Sequence, residues 1–144
     1  MEYRKIGNTI YARMDKGDEL IAGVLSVCRQ ERILSAVFSG IGGFQEAAIQ
    51  TFIPESGQFE TQTVSGMLEM LSVNGNIITD EGGNLYPHAH AAFSYKDGEK
   101  HCVTGGHLRS ATVLYTAEIE IRPVVGGVIK RKPDAETGTG FWQF

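Results

Sequence analysis

Nowhere in this chain do about 18 apolar residues run together, the length a membrane-crossing helix needs. The opening, Met1-Glu2-Tyr3-Arg4-Lys5, leads into no apolar run, so neither a signal peptide nor a transmembrane helix is expected and the default compartment is the cytoplasm. Cysteine is scarce. Cys28 and Cys102 show neither metal-type nor redox spacing, and in a reducing compartment both are expected as small buried apolar residues without a disulfide. Positive charge is in deficit: 13 Lys and Arg against 17 Asp and Glu leave a net charge of −4. That excludes a broad electrostatic footprint for nucleic acid, because phosphate neutralisation supplies most non-specific affinity. The one basic run, Lys130-Arg131-Lys132, reads as a solvated segment or a small phosphate contact. Internal repeats and low-complexity linkers are missing too, so residues 1–144 are expected to form one domain, long enough to bury a core.

Against this background the histidines stand out. His88 and His90 lie one residue apart, His107 follows, and Asp97-Gly98 between them is a strong hairpin signal. With Asp97 and Gly98 as the two turn residues, His88 is expected directly opposite His107. Alternation places His88 and His90 on one strand face, roughly 6.6 Å apart at about 3.3 Å per residue. Opposed residues bring their Cβ atoms to about 4.5–5.5 Å, so three imidazoles converge. Three neutral imidazoles around a divalent ion, with water or substrate in a fourth position, is the usual build of an open zinc site. Ala89, Ala91 and Phe93 give the opposite face an apolar, helix-covered character. The bland alternative is a pair of surface histidines, and a bulge at Gly105-Gly106 would turn His107 away. His101 is expected as an exposed hairpin residue opposite Ser94, and Cys102 points away from the histidines.

Elsewhere, Gly7-Asn8 reads as a turn between two short strands, the second covering Thr9 to Arg13. Asp18 is the expected N-cap of a helix whose apolar stripe is Leu20, Ile21, Val24, Leu25 and Cys28. Ile33 to Ser39 reads as a buried strand. Gly40-Ile41-Gly42-Gly43 then reads as a tight turn, since its spacing fits no phosphate-binding loop and a strand from Ala47 to Ile53 follows. Phe59 to Val64 and Gly66 to Val73 read as two strands or one bent strand, with Asn74-Gly75-Asn76 a second hairpin turn. Glu69 stands alone among apolar neighbours, which leaves two readings open, a structural salt bridge or a role near the metal. Thr112 to Arg122 is the last long strand. Phe141, Trp142 and Phe144 make the tail from Gly126 too apolar for a free end, so it is expected against the body or another subunit. The expected class is α+β, a two-layer α/β arrangement in which a mainly antiparallel sheet of about seven strands packs with one or two helices.

Several segments together resemble the plants and prokaryotes conserved (PPC) domain. They are Gly17-Asp18-Glu19, Ser39-Gly40-Ile41-Gly42, the run from Gly66 to Ser72 before Asn74-Gly75, Pro87-His88-Ala89-His90, Gly105-Gly106-His107-Leu108 and Thr116-Ala117-Glu118. The resemblance implies a compact domain assembled as a homotrimer, with a metal ion at His88, His90 and His107. It also implies DNA binding through plant relatives that carry AT-hooks. This chain has no Arg-Gly-Arg-Pro element, so that property does not carry over on the residues. The leading expectation is a metal-binding homotrimer, zinc being the expected ion. The competing ones are a DNA-associated module, a metal-dependent hydrolase or lyase, and a small-molecule sensor with its ligand at the metal. In an enzyme, Glu69 and Tyr86 are the candidates for proton transfer or substrate orientation.

Overall fold

A computed structural model describes residues 1–136 and 139–144; Thr137 and Gly138, within the tail, lie outside the described residues. Its elements run β1 (Glu2–Ile6), β2 (Thr9–Asp15), α1 (Leu20–Gln30), β3 (Ala36–Ile53), β4 (Gln58–Thr79), β5 (Leu85–Asp97), β6 (Lys100–Pro123), β7 (Lys130–Pro133) and β8 (Gly140–Gln143). Strands hold 69% of the chain and helix 8%, which overturns the two-layer α/β expectation. Among the described residues there is one helix, and all eight strands join one mixed sheet whose parallel pairing is β4 with β7. The reason lies in the glycines. Segments read as turns are strand interiors, so long continuous strands replace a meander of short ones.

Gly40 to Gly43 lie inside β3, and Asn74-Gly75-Asn76 inside β4. A Cβ on Gly42 would come within 2.6 Å of the Ala117 Cβ on the facing β6, so glycine there permits two backbones to approach rather than a chain reversal. Register shifts between Gly40 and Gly42 and between Phe44 and Glu46 bend β3, and one between Met70 and Ser72 bends β4. Bent in this way, β3 pairs with β4, β4 with β5, β5 with β6, and β6 returns to β3. The four strands close a ring. Its interior holds Phe44, Phe93, Leu68, Met70, Ile49 and Val113, with Phe44 and Phe93 meeting edge to face at 5.7 Å.

The helix behaves largely as its periodicity dictates, burying Leu20, Val24, Val27 and Cys28. Burial pushes the Cys28 thiol up to about 11, and both cysteines are free thiols. Its cap is Glu19 and not Asp18: the Glu19 carboxylate accepts from the Ile21 and Ala22 amides at 3.2 and 2.7 Å and from the Ala111 amide of β6 at 3.1 Å. Asp18 instead accepts from the Asp15 amide. One carboxylate thus both caps the helix and fastens it to the sheet. Phe141 and Trp142 on the β7–β8 ribbon, and Phe144 just past it, are exposed and not packed on the body of this chain. No helix of the described residues is long and apolar enough to cross a membrane.

Candidate metal centre

The hairpin that carries the histidines turns at Gly98-Glu99, with Asp97 paired to Lys100. Gly98 takes φ +59 while neither neighbour has a positive φ. That matches the hairpin turn with glycine in its first central position, whereas a turn centred on Asp97-Gly98 needs positive φ at both. The register therefore moves by two residues. His90, not His88, is the residue directly opposite His107, and His101 opposes Lys96. A shift of two preserves the face of every side chain. His88 and His90 remain exposed while Ala89, Ala91 and Phe93 are buried. No slip interrupts the pairing of β5 with β6 through Gly105 and Gly106; the irregularity in β6 falls further on, between Leu108 and Ser110 where it faces β3.

The imidazoles meet above this face. The His88 Nε2 lies 3.2 Å from His107 Nδ1, and ring centroids are 4.2 Å apart for His90 and His107 and 5.3 Å for His88 and His90. Ring nitrogens, one from each histidine, all lie within 4.8 Å of one another, an arrangement that can hold a metal ion. Two nitrogens at about 2.0–2.1 Å from a tetrahedral ion stand about 3.4 Å apart, so the 3.2 Å approach is close to the edge such an ion requires. Burial, then the neighbouring His90, holds His88 below its ordinary value of 6.5; burial first, then His90 and His88, does the same for His107. Depressed basicity keeps these rings neutral, the form that binds a metal. Phe59 stands edge to face on His107 at 5.1 Å and itself packs on Phe52.

Of the two further candidates, Tyr86 lies two residues before His88 on the same face, its ring under the Arg131 guanidinium at 4.6 Å. Glu69 opposes Ser94, four residues along β5 from His90, or roughly 13 Å at strand spacing. It is exposed beside Met67, Leu71 and Tyr115, outside the histidine cluster. Sequence reasoning missed Phe59, Arg131 and Asn76. Asn76 pairs across the sheet with His88, and its Oδ1 is the one buried side-chain nitrogen or oxygen without a hydrogen-bond partner among the described residues. The signal was present in Asn74-x-Asn76, an alternation that places both amides on the histidine face, but the intervening glycine reads locally as a turn.

No curated protein matches the chain. Among solved structures it is similar to a metal-containing protein from Archaeoglobus fulgidus, at 29% identity over 99% of this chain and 97% of that one, TM-score 0.83. A plant- and prokaryote-conserved protein from Pyrococcus horikoshii matches at 29% identity over 99% and 95%, TM-score 0.83. A protein from Ralstonia eutropha, named provisionally as DNA-binding, matches at 28% over 99% and 95%, TM-score 0.86. Residues 1–125 match the family model for one domain. The chain belongs to the Plants and Prokaryotes Conserved (PCC) domain family.

Proposed function

We propose that this protein is a homotrimer whose chains each bind a divalent ion, zinc, through His88, His90 and His107, leaving a coordination position for a small-molecule ligand. The observation that carries the reading is the 3.2 Å approach of His88 Nε2 to His107 Nδ1 within a three-ring cluster at the surface. An all-imidazole donor set suits zinc, and three protein ligands leave a position for water or substrate. The similarity to the Archaeoglobus fulgidus protein, described as metal-containing, supports the same reading. The homotrimer rests on the family resemblance and on the exposed Ile41, Met67, Leu71 and Tyr115, which line one hollow. Elemental analysis of the purified protein beside a His88→Ala, His107→Ala variant tests the centre. Stoichiometric metal in the first and none in the second is expected; metal retained in both refutes the ligand set. Sedimentation at a mass of three 15.7 kDa chains is the expected assembly, and a monomer refutes it.

A second reading, DNA binding, draws on the name of the Ralstonia neighbour. The basic run forms β7, where Lys130 and Lys132 are exposed and Arg131 is engaged over Tyr86. Two free lysines on a chain of charge −4 are a small footprint. A salt titration decides it: no affinity at low salt sinks direct binding.

A further inference from the structure

The geometry points to Asn76 as the positioning residue of the metal centre, its side-chain oxygen receiving the Nδ1–H of His88 when His88 Nε2 holds the ion. This rests on the metal-binding reading above and goes a step past it, to what fixes a ligand in place.

A histidine that coordinates through one ring nitrogen carries its proton on the other, and that N–H needs an acceptor. The acceptor fixes the tautomer and the ring's orientation and raises its strength as a ligand. In this site the coordinating atom of His88 is Nε2, because Nε2 is the nitrogen that faces His107. Nδ1–H is then the group to be satisfied. Asn76 is the residue paired with His88 across β4 and β5, and directly opposed residues of an antiparallel pair lie on the same face with Cβ atoms about 4.5–5.5 Å apart.

The state of Asn76 is the independent observation. Its Oδ1 is buried and accepts from nothing. Buried polar atoms are almost always hydrogen-bonded, and one that is not calls for an explanation such as an ion or a partner yet to arrive. An amide has its donors on nitrogen and only acceptors on Oδ1, so the missing partner is a donor. Among cross-strand neighbours, Val37 on β3 has an apolar side chain, whereas His88 on β5 offers the ring N–H. The His88 ring N–H is therefore the cross-strand donor suited to the Asn76 oxygen. Metal binding turns an unsatisfied acceptor into half of a hydrogen bond.

The test is zinc affinity by chelator competition on the full chain, with Asn76→Leu and Asn76→Asp beside the unaltered protein. Loss of a second partner of this kind costs about 10–100-fold in metal affinity. Asn76→Leu is expected to weaken zinc by that factor without lowering the melting temperature of the zinc-free protein, since it removes an unsatisfied atom. Asn76→Asp keeps the acceptor and is expected to bind zinc as tightly as the unaltered chain, to within about threefold. In zinc-loaded protein the His88 Nδ1–H proton is expected as a slowly exchanging resonance that Asn76→Leu abolishes. Unchanged zinc affinity in Asn76→Leu, or equal losses in the Leu and Asp variants, overturns the role of Asn76 while leaving the centre standing. If the unaltered chain binds no zinc, the centre and this role fall together.

Discussion

Gly75→Ala is the substitution that separates a turn from a packed strand at the floor of the metal face. Gly75 sits between Asn74 and Asn76 and pairs with Phe38 on one side and Ala89 on the other. A Cβ placed there would meet Phe38 Cε1 at 2.5 Å and the Ala89 Cβ at 2.9 Å, distances real Cβ contacts do not show. Phe38 is 3% exposed, so its ring cannot swing outward to make room. Overpacking of this kind costs about 1–3 kcal/mol. Removing a glycine from the unfolded chain returns about 0.4–1 kcal/mol. The net is a destabilisation of about 1–2 kcal/mol. At about 2.1 cal/mol/K per residue the unfolding entropy of 144 residues is about 0.3 kcal/mol/K, which makes the drop in melting temperature about 3–7 °C. Thermal melts of the zinc-free protein measure it. Because the cost is steric and assigned to one ring, Phe38→Leu should make the alanine less harmful, with a coupling of at least about 0.5 kcal/mol in a double-mutant cycle. A Gly75→Ala protein as stable as its parent, or additive effects of the two changes, would refute the packing argument.

Zinc at 100 times its dissociation constant should stabilise the native protein by about 2.7 kcal/mol, a rise of about 9 °C on the same entropy, and His107→Ala should abolish the rise. Absence of a zinc-dependent shift would count against binding to the folded state. Because His88 and His107 are held below 6.5 by burial, their contribution is present above that value and is lost as pH falls through their lowered folded values, where the unfolded chain binds more protons. Melting of the zinc-free protein between pH 7.5 and 5 should therefore show declining stability, with a shallower slope after His88→Gln and His107→Gln; an equal slope in parent and variant contradicts the assignment. Glu19→Ala removes the cap and strands the Ala111 amide, for a combined loss of about 2–4 kcal/mol by urea unfolding. Glu69→Gln should leave zinc affinity within about twofold, given its distance along the sheet, and a tenfold change would place it nearer the metal than the pairing allows.

What the sequence shows of the site is its parity. Alternation alone assigns His88, His90 and His107 to one face, and that survives a register error of two because two is the repeat of the pleat. The register itself was not legible: Asp97-Gly98 serves two hairpin turns, and which forms depends on whether Asp97 adopts a positive φ. The helix stripe is visible as a 3.6 period, yet its cap is not, because Glu19 gains its place from the amide of Ala111, 92 residues away. The fold class failed for a related reason. Gly42 and Gly75 answer to Ala117 and Phe38 on facing strands, and a glycine needed for close approach has the same local signature as one needed for a turn.

The closed circuit of β3, β4, β5 and β6 also governs when the centre exists during folding. His88 and His90 are neighbours on one strand and come together with local structure, but His107 sits where β6 leaves β5 and begins to pair with Gln50 of β3. Its position is thus fixed by two partners at once, one of them 57 residues earlier in the chain. Long-range pairings of this sort form slowly, on a scale of milliseconds to seconds for strand-dominated domains. Until they do, the chain offers an ion two imidazoles from one strand. Three-point coordination is therefore a property of the completed circuit, and the kinetics of zinc capture during refolding would time its closure.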